Sequence, residues 1–186
     1  PIVFLMETMN RKLLLFFLVL PIALSCQSEL ENTYSQQESQ IDRFITQNMT
    51  VDGVDLRVER NAGSNRLILT EGSGEELGES GSVTLYYAAF VFSGGISVSN
   101  LVATNHFQFA EEIGWLLDDA DYGAVTLNMS DKLIPGLKNG LKGVRSGEEA
   151  IILFSGEYGY GNKAYGNIPA KSALAYRVWI LDVSNK

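Results

Sequence analysis

The apolar and polar positions along the chain fall into two patterns, one of strand period and one of helix period. Val83 to Phe92 is an unbroken run rich in β-branched and aromatic residues, which predicts a central strand. Ala150 to Phe154 and Leu174 to Val183 predict further strands; in the last, Leu174, Tyr176, Val178 and Ile180 share one face and Arg177 lies on the other. Between these strands, Leu137, Leu141 and Val144 recur at helical spacing after Pro135, whose missing N–H costs nothing at the first helical position. Lys138, Lys142 and Arg145 sit in the second half of that segment, where positive charge suits the helix dipole, while Gly140, Gly143 and Gly147 weaken or end it. So short a helix is marginal alone and must be held by a sheet packed on its apolar side. The pattern therefore predicts an α+β domain, an antiparallel sheet with one short helix against it.

Upstream, Val54, Leu56 and Val58 alternate with charged residues, Asn61-Ala-Gly-Ser64 supplies turn chemistry and Leu67-Ile-Leu69 resumes the apolar run, which predicts a hairpin. Ser35-Gln-Gln-Glu38 has the form of a capping box, and Ile41, Phe44, Ile45 and Met49 then mark one helical face. Residues 35–66 thus read as an N-terminal helix and strand extension, preceded by a polar tether at 27–34 and followed by the main domain at 67–186. Within that domain, 94–122 reads as an irregular insertion. Phe107, Phe109, Trp115, Leu116 and Leu117 make it apolar enough to pack onto its own domain or a ligand. Its acidic end, from Asp118 to Asp121, lacks the third loop Asp and the bidentate Glu of an EF-hand, and reads as a solvated loop. His106 reads as structural.

The first 26 residues have a different character. Pro1 to Thr8 read as sequence upstream of a start at Met9. Arg11 and Lys12, the apolar run Leu13 to Leu20, and the small residues up to Ser25 match a charged n-region, a short h-region and a cleavage site. Cys26 directly after Ser25 resembles the lipidated first residue of a bacterial lipoprotein, which places the protein in the bacterial cell envelope, held on a membrane by acyl chains and not by a protein span.

Composition narrows the chemistry. A net charge of -8, with no Lys/Arg run interleaved with aromatics, argues against nucleic acid as a partner. One His and one Cys leave no Cys/His metal set and no Ser-His or Cys-His nucleophilic pair, so no metal or cofactor is expected and hydrolase mechanisms fall away.

Five separated segments carry a resemblance: Leu133-Ile-Pro-Gly-Leu137, Gly140-Leu-Lys-Gly143, Ser146-Gly-Glu148, Glu157-Tyr-Gly-Tyr-Gly161, and Ile168-Pro-Ala-Lys-Ser-Ala-Leu174 leading into the last strand. In this order they resemble the FKBP-type peptidyl-prolyl cis-trans isomerases, over about residues 67 to 183. The resemblance implies a bent antiparallel sheet wrapped round one short helix and an apolar bowl that takes a proline ring, with proline-containing polypeptides as partners. It assigns Tyr86, Val125, Leu133, Ile134, Leu137 and Tyr176 to substrate binding, and Tyr160 and Ile168 to catalysis. Ile168 would offer its backbone N–H, and Tyr160 its hydroxyl, to the carbonyls flanking proline. Two departures stand out. Leu137 occupies the position usually held by Trp, and Val98-Ser99 or Ile96-Ser97 occupies the region that usually supplies an acidic residue.

Such chemistry needs no nucleophile. Rotation about X-Pro faces a barrier of about 18–20 kcal/mol from amide resonance, and a dry apolar pocket favours the less polar twisted amide. The first functional reading is an isomerase that assists the folding of exported proteins. The alternative is a lipid-anchored binding or chaperone module with weak or no turnover, its bowl covered by the insertion. An open bowl lined by Tyr160 and Ile168, against one filled by Trp115 or Phe107, discriminates the two.

Overall fold

Neither the run 83–92 nor the run 174–183 alternates cleanly, and the computed structural model, which describes residues 29–51, 53–117 and 121–185, gives the reason: both faces of each are covered over most of its length. Two units make up the chain, residues 1–36 and 37–186. In the first, the described residues, 29–36, are helical, so the expected tether is helix from residue 29 and Ser35-Gln-Gln-Glu38 lies inside a helix and not at its start. Helical backbone, termed α1, runs over 29–48. Cys26 and the whole signal-like segment lie outside the described residues, as do Asp118 and Asp119.

The second unit continues from α1 with β1 (Thr50–Val51) and β2 (Val54–Asp55), an exposed two-stranded pair. Next come β3 (Val58–Asn61), β4 (Ser64–Thr70), β5 (Ser82–Phe92), a 3-10 turn at Val98–Asn100 and β6 (Leu101–Thr104). The rest comprises α2 (Phe107–Glu112), β7 (Val125–Asn128), α3 (Pro135–Leu141), β8 (Glu149–Phe154) and β9 (Ala173–Ser184). The main sheet is antiparallel, in the order β3-β4-β8-β9-β5-β6, with β7 also on β5. The hairpin β3–β4 is thus part of the main sheet, not an extension outside it. Segment 94–122, expected to be irregular, contributes both β6 and α2.

Opposite residues of an antiparallel pair point to the same side. Leu85 pairs with Ile180, Tyr87 with Val178 and Ala89 with Tyr176, and these join Ile152 and Phe154 in the cluster that holds Leu141 of α3 and Val144 just after it. The alternate residues Ala88, Phe90, Leu153 and Ala175 face the other way, against Ile41 and Ile45 of α1, which are 0% and 3% exposed. Phe44 sits edge-on to Phe92 at 5.4 Å between centroids, while Met49, expected on the same face, is 36% exposed. One helix on one face and two on the other bury most of β5 and the first part of β9 on both sides, which is why these runs read as nearly continuously apolar.

The seven-residue α3 is held by its surroundings. Gly136 and Gly140 bring it close to β8: a Cβ on Gly136 would run into the Phe154 ring, and one on Gly140 into Ile152 and Ser64. Ile134 provides no side-chain cap, and the Gly136 N–H donates instead to the Tyr158 carbonyl at 2.8 Å. At the other end, Arg66 Nη1 donates to the carbonyls of Gly140 (2.7 Å) and Lys142 (2.6 Å). The orphan carbonyls of the helix end are therefore satisfied by a buried guanidinium. Arg66 Nε also lies 3.0 Å from Glu148 Oε1, with side chains 4% and 0% exposed.

Candidate active site

A cavity of about 580 Å³ opens between the pocket-facing side of β5, the start of α3 and the loop before β9. Leu85, Tyr87 and Ala89 enter it from β5, Val102 and Ala103 from β6, and Val125 and Leu127 from β7. Leu133, Ile134 and Leu137 line it from the N-terminal end of α3, where Pro135 starts the helix. The loop supplies Tyr160, Tyr165 and Ile168, and β9 supplies Tyr176 and Val178. Ring packing fixes these aromatics. Tyr160 stacks on Tyr165 (4.6 Å, 7°), Phe154 on Tyr176 (5.9 Å, 15°), and Tyr87 leans against Tyr176 at 6.1 Å.

Of the sequence-predicted residues, the structure brings Val125, Leu133, Ile134, Leu137, Tyr160, Ile168 and Tyr176 to this one cavity. Tyr86 is not among them. It pairs with Trp179 on the opposite face of the sheet and packs its ring on His106 at 4.8 Å, so the tyrosine that β5 gives to the cavity is Tyr87. The resemblance places the tyrosine one position early: β5 alternates without a break, Val83, Leu85, Tyr87, Ala89 and Val91 all joining the cluster that faces α3, and with both faces buried its apolar pattern does not mark the cavity side. A second correction concerns Ile168. Its N–H donates to the Tyr165 carbonyl at 2.9 Å, while the Tyr165 N–H donates back to Ile168 at 2.9 Å. The Ile168 N–H is therefore engaged within its own loop. Thirdly, the uncharged residues that line the cavity after the central strand are Val102 and Ala103, not residues 96–99. Tyr165 escaped the sequence reading altogether, though an aromatic beside Gly166 in a glycine-rich loop was the available signal.

Among the described residues of the insertion, Val102 and Ala103 line the cavity while Trp115 and Phe107 do not. Trp115 packs into the cluster on the opposite face, and Phe107, 47% exposed, sits edge-on to Tyr122 at 5.6 Å. His106 caps α2, its Nδ1 accepting from the Phe109 N–H at 3.0 Å, and its ring also lies 4.6 Å from that of Trp179. Asn105, 4% exposed, joins the insertion to the sheet. On this edge of β5, β7 pairs with Ser82–Leu85 and β6 with Ala88–Phe90, which leaves Tyr86 and Tyr87 between them. There the Asn105 Oδ1 accepts from the Tyr87 N–H (2.6 Å), the Asn105 N–H donates to the Tyr87 carbonyl (3.2 Å), and Nδ2 donates to the Gly123 carbonyl (2.7 Å). A side chain thus completes the bonding that a strand would otherwise give.

Apart from the exposed Lys132, the cavity lining carries no charged side chain among the described residues. Desolvation raises the Tyr87 hydroxyl above its ordinary pKa and raises that of Tyr160, with Tyr165 and Tyr87 adding to the latter. Burial raises Tyr176 most of all. These phenols therefore stay protonated throughout the physiological range and act as neutral hydrogen-bond groups. Among the described residues no cluster of three His, Cys, Asp or Glu is placed to hold a metal. The arrangement offers apolar surface, fixed rings, phenol donors and the exposed Lys132 ammonium, and among the described residues its lining holds no Ser, Cys, His, Asp or Glu.

Comparison with known proteins agrees with this geometry. A sequence model described as FKBP-type peptidyl-prolyl cis-trans isomerase matches residues 82–181, more than half of the 186. "FK506-binding protein 1" of Aspergillus oryzae is 29% identical over 126 residues, covering 66% of this chain and 99% of that protein. The human peptidyl-prolyl cis-trans isomerase FKBP9 is 38% identical over 53 residues, 28% of this chain and only 9% of its own length. Among solved structures, FkpA from Escherichia coli superposes with a TM-score of 0.55 at 21% identity, covering 85% of this chain and 64% of that one. The N-terminal domain of FKBP42 from Arabidopsis thaliana gives 0.53 at 19% identity, covering 74% and 100%. With the α+β sheet, the short helix and the sequence match all in agreement, the chain belongs to the FKBP-type peptidyl-prolyl cis-trans isomerases, a family of enzymes.

Proposed function

We propose that the cavity seats the proline ring of an X-Pro peptide and lowers its rotational barrier by desolvation, without a covalent intermediate. The observation that carries this is a largely apolar cavity that none of Trp115, Phe107 or the other apolar residues of α2 lines, with the Tyr160 hydroxyl at its wall to meet a substrate carbonyl. Twisting the amide localises its electrons and reduces its polarity, so a dry wall of Leu85, Val125, Leu133 and Leu137 favours the twisted form over the planar one. A donor to one flanking carbonyl, the Tyr160 hydroxyl, holds the peptide beside the rotating bond. Tyr160→Phe should lower kcat/KM for a short X-Pro peptide about tenfold, the worth of one hydrogen bond made in the transition state, with Tyr160→Ala lower still. A protease-free isomerisation assay measures this, and equal rates for wild type and Tyr160→Ala would overturn the reading. The open cavity favours this function over a covered binding module, although Leu137 and the uncharged Val102–Ala103 pair depart from the usual family pocket.

We further propose that the enzyme works on exported polypeptides from a membrane surface, with Cys26 as the acylated residue. Support comes from the order of Arg11-Lys12, the apolar run to Leu20 and the small residues before Cys26. Cys26→Ser should abolish palmitate incorporation in a bacterial host and move the protein from the membrane pellet to the soluble fraction. Unchanged pelleting and labelling would contradict the anchor.

A further inference from the structure

The loop that carries Tyr160, Tyr165 and Ile168 leaves β8 through Gly156 and returns to β9 through Lys171. Its two ends are joined by a side chain from outside the family-matched region. Gln37 of α1 accepts the Gly156 N–H on Oε1 at 2.9 Å and donates from Nε2 to the Lys171 carbonyl at 2.6 Å. One amide therefore uses its acceptor on one end of the loop and its donor on the other. Within the loop, the Gly161 N–H donates to the Gly156 carbonyl (2.9 Å) and the Lys171 N–H to the Gly161 carbonyl (2.7 Å), so the three points form a closed base beneath Tyr160. Lys171 holds a φ of 63°, a left-handed conformation that a non-glycine residue keeps only when its surroundings impose it. Its N–H and its carbonyl are both committed, to Gly161 and to Gln37. Ile41 and Ile45, buried one and two turns further along α1, fix the height at which Gln37 meets the loop.

We infer that Gln37 is a positioning residue for the isomerase: it sets the span of the 156–171 loop and thereby the placement of Tyr160 and Ile168 at the cavity. This inference rests on the isomerase reading of that cavity. It gives a helix beyond the matched family region a part in the reaction, through the loop and without touching substrate.

The test uses the full chain with Gln37→Ala, Gln37→Glu and, as control, Gln40→Ala, an exposed position on the same helix. Turnover of an X-Pro peptide, thermal midpoint and hydrogen exchange of the Gly156 amide are measured together. Gln37→Ala should lose about tenfold in kcat/KM, with faster Gly156 exchange and a midpoint matching that of Gln40→Ala. Gln37→Glu keeps the acceptor for Gly156 and loses the donor to Lys171, so Gly156 should stay protected while turnover falls. A kcat/KM for Gln37→Ala within about twofold of wild type, or a loss accounted for by a lower midpoint, overturns the inference. Wild-type protein without turnover would defeat the isomerase reading instead. Exchange at Gly156 still decides the clamp in that case, since unchanged exchange in Gln37→Ala defeats it and faster exchange upholds it.

Discussion

Arg66→Met should destabilise the fold by about 3–5 kcal/mol, the usual cost of removing one partner from a buried ion pair. Arg66 is buried, and three acceptors converge on it: the carbonyls of Gly140 and Lys142 at the end of α3, and the Glu148 carboxylate. Desolvation lowers the pKa of Arg66 and raises that of Glu148, with each charge opposing the shift of the other. Removing the cation leaves a carboxylate without compensation inside the protein and frees two helix carbonyls. A shift in the urea midpoint measures the effect, and a change below about 1 kcal/mol would show the pair to be inert. Glu148 also makes the deficit depend on pH. Without Arg66 its native pKa lies further above the unfolded value, so between those two values the native state binds more protons. The deficit relative to wild type should accordingly shrink as pH falls below neutral. Arg66→Met combined with Glu148→Leu should recover most of the loss, because paired removal leaves no buried charge.

The second large effect falls on turnover. Leu137→Glu should lower kcat/KM by about 50-fold while the domain stays folded. Seating a proline ring buries about three methylenes at about 0.8 kcal/mol each, or about 2.4 kcal/mol, which corresponds to about 50-fold in rate. A carboxylate at this position keeps water in the cavity and cancels that gain, and it also favours the planar, polar amide over the twisted one. Leu137 is half-buried and its side chain borders open space, so the charge can remain hydrated and need not disrupt the core. Leu137→Met, close in volume, should stay within about threefold of wild type. The protease-free assay on both variants checks this. Equal rates for wild type and Leu137→Glu would mean that proline does not seat against α3.

What the sequence made legible follows from how each segment is buried. α3 and the strands β5, β8 and β9 were readable because each is long or punctuated enough to carry its own signal: Pro135 at a helix start, or an unbroken β-branched and aromatic run. β6 has four residues and a register irregularity against β5, and α2 has six residues and a histidine cap, which falls outside the Ser/Thr/Asp/Asn group that announces helix starts. Neither has room for a period. At the site, the Leu133–Leu137 group and Tyr160 belong to local motifs and could be named in advance. The choice between Tyr86 and Tyr87 depends on which face of a strand buried on both sides meets the cavity, and the engagement of the Ile168 N–H depends on a loop pairing with Tyr165. Both are set by partners distant in sequence or by loop closure, which periodicity does not encode. Gln37 meets its partners across more than a hundred residues, and nothing in its neighbourhood marks it.

Asn105 gives the molecule a practical property. Because its amide finishes the hydrogen bonding of β5 at Tyr87 and also holds Gly123, the chain leaves the sheet at one bolted point and returns at another. The bonding beside the cavity is thus complete before the excursion begins. Gly114 lies on that excursion, exposed and with open space around it. An epitope or a fluorophore-bearing segment inserted directly after it would keep the glycine that its φ of 68° favours and leave the pocket wall undisturbed.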